Sequence, residues 1–232
     1  CITQLSLYGE FMKQKNYKDA LPGWKVACDI CPKSSKKLYT NGVKIYRGYV
    51  IGAQKAMKKE TDEAKKAKQA ERMNLYLDTL MGIYDARIEH FGQEGFVIGR
   101  KGNDLFRFRK DSVVAANEMF AKSMELQGDR CEAGVLSGYY QSLFEMVKQG
   151  KGDKSLMLEG YIPVNELIAK CITKAKTAKN ADKLVPKYET ARSNIDEMFV
   201  KVGECPDINE IFAKKLEAEP TNLDLQKKIL KV

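Results

Sequence analysis

The chain has 232 residues and a formal net charge of +9, and 44% of its residues are hydrophobic and 31% charged. This apolar content suffices for a packed core and excludes a disordered chain, whereas no apolar run approaches the roughly 18–20 residues that cross a membrane. The positive charge raises the question of nucleic-acid binding. Lysine and glutamate alternate along residues 55–72, however, which favours a solvated helix surface.

Nearly every segment between turn signals has the periodicity of a helix, and none has the sustained alternation of a strand. The sequence therefore predicts an all-α protein. The predicted helices, in chain order, cover residues 2–14, 17–31, 35–53, 60–91, 103–110, 112–127, 132–148, 154–178, 181–202, 207–218 and 222 onward.

The spacing of apolar and small residues in the first 34 positions is typical of two helices packed face to face. Large apolar residues lie one turn apart in the first helix, small residues flank a tryptophan in the second, and a proline ends the second helix. The residues that carry this pattern are Leu7, Phe11, Tyr17, Ala20, Trp24, Ala27 and Pro32. The pattern resembles one tetratricopeptide repeat, which implies a helix–turn–helix element that presents a surface to partners.

Similar spacings recur along the chain. Gly42 and Gly138 take the place of the small residue of the pattern in later repeats, and Ala116, Phe120 and Ser123 repeat the spacing of the second helix. The resemblance implies a single right-handed array of antiparallel helix pairs, an α-solenoid with two overlong insertion helices. Its repeats would cover residues 1–34, 35–96 with an insertion, 97–130, 131–188 with an insertion, 189–222 and an incomplete 223–232.

A glycine-rich stretch from Val97 to Leu105 contains Gly-Arg-Lys-Gly, which looks like the GXXG signature of a KH domain. In that reading Arg100 and Lys101 would clamp a nucleic-acid backbone. A KH domain also needs a sheet, and neither flank supplies a strand. We therefore predict a connecting loop here, and nucleic-acid binding through this loop is the alternative function.

The sequence contains no constellation of residues suited to catalysis or to metal binding. His90 is the only histidine, and it lies at the predicted end of a long helix, where a cation is favourable in its own right. Cys28 and Cys31 form one C-x2-C pair without a second pair at zinc spacing. We therefore predict no enzymatic activity, no metal and no cofactor.

The cysteines suggest a structural role. Cys1 opens the first helix and Cys31 closes the second, so antiparallel packing brings the two residues together and predicts a disulfide. Cys131 has two possible partners, Cys171 or Cys205. Disulfides are typical of oxidising compartments, and we therefore favour an extracytoplasmic location over a cytoplasmic one.

The first repeat and the later Phe-Gly-Gln-Glu-Gly-Phe-Val-Ile-Gly stretch resemble a group of bacterial envelope proteins with divergent tetratricopeptide repeats. The resemblance implies an exported, non-enzymatic scaffold that binds another protein or a peptide. In such arrays the first helix of each pair lines a concave groove, which here implies a binding surface of Lys36, Tyr39, Val43, Tyr46, Arg47 and Tyr139. The alternative is that these tyrosines pack against the insertion helices.

Overall fold

A computed structural model describes residues 1–201, and over this range helices joined by short connections make up the chain, with no strand. The prediction of an all-α protein is confirmed. The helices are α1 (Ile2–Lys13), α2 (Tyr17–Ile30), α3 (Lys36–Lys59), α4 (Glu63–Phe91), α5 (Glu94–Phe108), α6 (Val113–Gln127), α7 (Ala133–Lys148), α8 (Ser155–Lys176) and α9 (Ala181–Val200), with 3₁₀ turns at Lys110–Ser112 and Gly128–Arg130. The helices predicted at 207–218 and from 222 onward lie outside the described residues.

Local signals in the sequence set several helix ends. The side chains of Asn16, Ser35 and Asp62 each accept a hydrogen bond from a backbone N–H in the first turn of α2, α3 and α4, respectively. Gly92 and Gly128 end α4 and α6 with φ values of 64° and 52°, which glycine adopts without steric cost. Capping and turn residues therefore account for most of the agreement between predicted and observed boundaries.

The glycine-rich stretch is the main exception, because it is helical rather than a loop. α5 runs through it from Glu94 to Phe108, and Gly95, Gly99 and Gly102 are buried along one face of the helix. Glycine weakens an isolated helix by about 1 kcal/mol per residue. Burial of Val97 and its neighbours in the tertiary structure outweighs that intrinsic cost, which the local sequence does not reveal. The predicted loop is therefore wrong.

The chain divides into two compact units, residues 1–110 and a second unit that begins at Asp111. In the first unit, α1 and α2 form an antiparallel pair, α2 packs on α3, α3 and α4 pack along each other, and α5 packs on α4. In the second unit, α6 packs on α7, and α7, α8 and α9 pack against one another. No described helix has the length and apolarity to span a membrane.

A disulfide joins Cys1 to Cys31, the pair that the sequence indicated, and their Cα atoms lie 5.8 Å apart. It closes the open end of the α1–α2 pair. Cys131 and Cys171 are buried free thiols, with the Cys171 Sγ donating to the Cys131 carbonyl oxygen at 3.7 Å. Of the two possible partners of Cys131, Cys171 is therefore not bonded to it, and Cys205 lies outside the described residues.

The interface between α1 and α2 uses a different face of α1 from the predicted one. Ala20, Trp24 and Ala27 are buried as expected, but Leu7 is 53% exposed and Tyr8 is 4% exposed. A Cβ atom on Gly23 would lie 3.2 Å from the Tyr8 Cβ, so this glycine makes room for the tyrosine. The prediction that Leu7 lies in the core is wrong, because Gly23 admits the larger aromatic residue at the next position.

Trp24 is the centre of the contact between α2 and α3. Its indole Nε1 donates to the Leu38 carbonyl oxygen at 2.8 Å, and its ring lies over Gly42, where any Cβ atom would overlap it. In the second unit the Phe120 ring covers Gly138 in the same way, 2.8 Å from the position of a Cβ atom. Each glycine therefore allows an aromatic ring to pack directly on a helix backbone.

Candidate functional site

Three of the six residues predicted to bind a partner are in the core. Tyr39, Val43 and Tyr46 are 3%, 8% and 6% exposed. Tyr39 packs against the rings of His90 and Phe91 at the end of α4, with centroids 5.8 Å away in both cases. The structure thus shows the alternative that the sequence left open, in which the tyrosines pack against the insertion helix.

Arg47, a fourth predicted binding residue, belongs to a buried polar network. Its guanidinium donates to both carboxylate oxygens of Asp104, from Nε at 3.0 and 3.2 Å and from Nη2 at 2.8 Å. Arg47 Nη2 also donates to the Tyr84 hydroxyl at 3.1 Å, and that hydroxyl donates to Asp104 at 2.8 Å. Arg47 is therefore committed to a bidentate ion pair within the first unit.

The pKa shifts agree with this network. Burial alone would lower the pKa of Arg47, but its hydrogen bonds and charge attraction to Asp104 leave that pKa raised. The pKa of Tyr84 is raised, first by burial and then by the negative charge of Asp104. At neutral pH the network therefore contains a charged guanidinium and a neutral phenol.

The remaining two predicted residues lie in different units. Lys36 is exposed at the start of α3. Tyr139 lies half-buried in the second unit, where its carbonyl oxygen accepts hydrogen bonds from Asn117 and Ser142. The binding surface predicted from the resemblance is therefore not an exposed groove.

The GXXG stretch likewise offers no clamp. Val97, Gly99, Gly102 and Leu105 are buried in α5. The two cations of the motif interact with side chains of the same unit, because the Arg100 guanidinium lies 4.2 Å from the centroid of Phe96 and Lys101 pairs with Asp85. The loop required by the nucleic-acid alternative does not form, because the stretch is part of a packed helix.

A groove of about 710 Å³ opens elsewhere in the first unit, between α2, α3 and α4. Its volume lies within the range of known binding sites. The lining residues are Lys18, Leu21, Lys25, Tyr46, Gly48, Tyr49, Gly52, Ala53, Ala56, Gln69, Arg72, Leu75, Tyr76 and Thr79. Tyr46 is the one residue that this groove shares with the predicted surface.

Three tyrosines form the aromatic part of the groove. The ring centroids of Tyr49 and Tyr76 are 5.2 Å apart, and Tyr46 lies 6.0 Å from Tyr49 and 6.4 Å from Tyr76. The Tyr49 hydroxyl donates to the Tyr17 carbonyl oxygen at 3.2 Å, which fixes its ring. Burial raises the pKa of Tyr46 and of Tyr49, so both are neutral phenols at physiological pH.

Basic side chains surround these rings. Lys18 and Lys25 project from α2 and Arg72 from α4, and all three are exposed. Arg72 Nε donates to the Tyr76 hydroxyl at 3.1 Å. None of the described residues lining the groove carries a carboxylate, and within residues 1–201 no ion pair joins these three cations to an acidic side chain. The groove therefore has a positive charge that its own walls do not neutralise.

Beyond its two tyrosines, the α3 wall of the groove consists of glycine and alanine residues. Gly52 is exposed, and no heavy atom lies within 4 Å of the position that its Cβ would occupy. Leu75 on the α4 wall is 64% exposed. An incoming chain therefore meets accessible backbone on one side and an accessible apolar side chain on the other.

Sequence reasoning missed this groove for an identifiable reason. The charge pattern of residues 55–72 predicts only a solvated surface, and the repeat spacing picks out Gly42 of α3 but neither Gly48 nor Gly52. The available signal was the combination of Gly48 and Gly52, one turn apart, with Tyr49 and with Tyr76 on the next helix. Only the pairing of α3 with α4 brings these residues together.

The second unit has a smaller depression of about 330 Å³ between α7 and α9, lined mainly by small and neutral side chains around Lys187. No cluster of three or more histidine, cysteine, aspartate or glutamate residues suited to a metal ion occurs in the described part of the chain.

No protein-family model matches the chain, and no curated protein is similar to it in sequence. The candidate site therefore rests on its own geometry.

Proposed function

We propose that the protein is a non-enzymatic interaction scaffold that binds a polypeptide in the groove between α2, α3 and α4. The observation that carries this proposal is the groove itself, an open cleft with tyrosine rings, an exposed leucine and cations unpaired within the described residues. Aromatic and arginine side chains are the types that contribute most to protein–protein binding. The hydrogen bond from Tyr49 to Tyr17 and the packing of α3 on α4 support a preformed site, which lowers the entropic cost of binding.

We propose further that the helices form a tetratricopeptide-like array. The support comes from the recurrence of one packing device, an aromatic ring laid on a glycine of the next helix. Trp24 covers Gly42 in the first unit and Phe120 covers Gly138 in the second, with the same separation along the chain. Recurrence of a contact at a fixed spacing is typical of repeat architectures.

An extracytoplasmic location fits this proposal. The disulfide between Cys1 and Cys31 supports it, since such bonds persist mainly outside reducing compartments. Mass spectrometry of the protein recovered from its native host, alkylated before lysis, provides the test. Recovery of the Cys1–Cys31 linkage supports the proposal, and recovery of two alkylated thiols contradicts it.

Gly52 gives a sharp test of the groove. Replacing Gly52 by leucine places a side chain in the groove, and the open space around its Cβ means that no core contact is disturbed. Gly82 in α4 is the matched control, because it is also exposed and mid-helical with nothing within 4 Å of its Cβ, but it does not line the groove.

The measurement is selection of peptides from a random twelve-residue display library on the parent protein, on Gly52→Leu and on Gly82→Leu. We expect peptides selected on the parent to bind Gly82→Leu equally and to lose at least tenfold in affinity for Gly52→Leu. Equal binding to all three proteins would show that the groove is not the site.

A further inference from the structure

We infer that the occupant of the groove is an acidic polypeptide segment that also carries large apolar or aromatic side chains. This inference rests on the proposed function, since it specifies the chemistry of the partner. The charge of the lining residues is the main argument. Lys18, Lys25 and Arg72 contribute three positive charges, and no described lining residue contributes a negative one.

The contrast with other cations of the same unit strengthens the argument. Arg47 pairs with Asp104, Lys101 with Asp85, and Arg109 with Asp78. Each of these cations is matched within its own unit, whereas the three at the groove have no such partner within residues 1–201. Complementary charge across an interface attracts the correct partner and repels partners of the same charge.

One acidic side chain acts on a residue of the groove without lining it. Burial raises the pKa of Tyr49, and Tyr76 and the charge of Asp19 in the first turn of α2 add to that shift, so the field of Asp19 reaches the groove. Its carboxylate, however, is exposed, accepts a hydrogen bond from the Asn16 side chain, and does not line the groove. The three cations line the groove and this carboxylate does not, so the lining itself has a net positive charge.

The apolar surface of the groove favours a partner with large apolar or aromatic side chains. Leu75 is largely exposed, Leu21 is half-buried, and Tyr76 presents part of its ring beside them. A phenylalanine or leucine of the partner would remove this surface from water, at about 25 cal/mol for each Å² buried. The open backbone at Gly52 lets the partner approach α3 closely.

The same features disfavour a single-stranded nucleic acid, which is the other anionic polymer to consider. Bases bind by stacking on free aromatic faces. Here Tyr46 is buried, and Tyr49 and Tyr76 lie against each other with an interplanar angle of 31°. The groove thus offers apolar surface and positive charge, but few open faces on which bases could stack.

The test compares three synthetic twelve-residue peptides with a twelve-nucleotide oligouridylate, all carrying fluorescein, by fluorescence anisotropy. The peptides contain four copies of Glu-Glu-Phe, Gln-Gln-Phe or Lys-Lys-Phe. We expect the acidic peptide to bind at least tenfold more tightly than the other two. We also expect its affinity to fall when the salt concentration is raised from 50 to 500 mM, because salt screens exposed charges.

Charge-reversal variants test whether the cations of the groove are responsible for binding the acidic peptide. The double variant Lys25→Glu/Arg72→Glu should bind the acidic peptide about tenfold more weakly, the combined effect expected of two reversed contacts at exposed positions. The control Lys37→Glu/Lys44→Glu makes the same change in net charge at exposed positions of α3 outside the groove, and it should bind as the parent does. Circular dichroism and Trp24 fluorescence verify that both variants are folded.

The outcomes separate this inference from the proposed function. If display-selected peptides depend on Gly52 but the neutral or basic peptide binds as tightly as the acidic one, the groove binds polypeptides and the inference is wrong. If no peptide of either experiment depends on Gly52, the proposed function fails and the inference fails with it. If oligouridylate binds more tightly than the acidic peptide, and Lys25→Glu/Arg72→Glu abolishes that binding, the groove binds nucleic acid and the inference of a polypeptide occupant is wrong.

Discussion

In both units an aromatic ring packed on a glycine joins two consecutive helices, but the contacts that accompany this packing differ. In both, an aromatic residue lies on a glycine 18 positions further along the chain, Trp24 on Gly42 and Phe120 on Gly138. Trp24 adds a buried hydrogen bond to the Leu38 carbonyl oxygen, which a phenylalanine has no donor to make. In the second unit the polar contact comes from another residue, because the Asn117 amide of α6 donates to the Tyr139 carbonyl oxygen and the Ser142 hydroxyl of α7 at 3.2 and 2.9 Å. Both helix pairs therefore combine an aromatic–glycine contact with hydrogen bonds, and in the first unit the aromatic ring itself is the donor.

Covalent and polar interactions extend this difference. The first unit has the disulfide at Cys1 and a charged network around Asp104, whereas the described cysteines of the second unit are free thiols. The second unit instead buries the Tyr161 hydroxyl against Asp196 at 2.7 Å, and Phe199 stacks on the Tyr161 ring. The unit that contains the candidate groove is thus the one with a disulfide among its described cysteines, and this covalent constraint fits the need for a preformed site.

The largest expected effect is the loss of the disulfide. Replacing Cys1 and Cys31 by serine should lower the free energy of unfolding by about 3–4 kcal/mol, because the bond closes a loop with a sequence separation of 30 residues. Trp24 is the only tryptophan and lies in the first unit, so its fluorescence in urea reports this change. Cys28→Ser is the control, and an equal shift in both proteins would show that the loop closure is not the cause.

The next effect is loss of charge in the buried network. Asp104→Asn should cost about 2–3 kcal/mol, because the partly buried Arg47 guanidinium loses its charged acceptor. Tyr161→Phe in the second unit should cost less, about 1.5–2 kcal/mol, because it removes one hydrogen bond to the Asp196 carboxylate and does not deprive a buried cation of its charged acceptor. Urea denaturation of the two variants measures both costs, and the comparison fails if Tyr161→Phe is the more damaging.

Adding a methyl group at each aromatic–glycine contact should cost about 1–3 kcal/mol, the usual penalty for overpacking. Gly42→Ala should be the more destabilising, because the hydrogen bond to Leu38 holds the Trp24 ring in place. Gly138→Ala should cost less, because the phenyl ring of Phe120 that covers Gly138 has no donor for such a hydrogen bond. The control Gly82→Ala should be neutral or stabilising by up to about 1 kcal/mol, since alanine favours helix and the site is open. Thermal unfolding of the three variants gives the order.

The smallest effect at neutral pH concerns the thiols of the second unit. Burial raises the pKa of Cys131 from 9.0 to about 12 and that of Cys171 from 9.0 to about 11. The nearby Cys171 thiol adds to the upward shift of the Cys131 pKa. A raised folded pKa gives stability that is complete below the unfolded pKa and is lost as pH rises through the folded value. We therefore expect no change between pH 7 and 8.5 and a decline above pH 9.

Helix content measured by circular dichroism across this pH range checks the expectation. The variant Cys131→Ser/Cys171→Ser lacks the two thiols and should decline less steeply than the parent. Tyr188 titrates in both proteins, since burial also raises its pKa to about 12, so some decline remains. A parent protein that loses helix between pH 7 and 8.5 would contradict the assignment.

Periodicity and capping residues in the sequence predicted the helical class, most helix ends and the pairing of Cys1 with Cys31. These features depend on residues within one or two turns of each other, or on the two ends of one helical hairpin, so the local sequence contains the information. The repeated spacing also picked out Gly42 and Gly138 as small residues, and in the structure an aromatic ring covers each of them.

Tertiary structure decided the rest. Which face of α1 is buried depends on Gly23 of α2, and the helical state of residues 94–108 depends on packing that outweighs the intrinsic preference of glycine. Arg47 was predicted to face a partner, yet Asp104, 57 positions along the chain, binds it. The groove exists only because α3 and α4 pack side by side. Contacts between distant residues select among the surfaces that a local pattern allows, and in α5 burial also outweighs the low helix propensity of glycine.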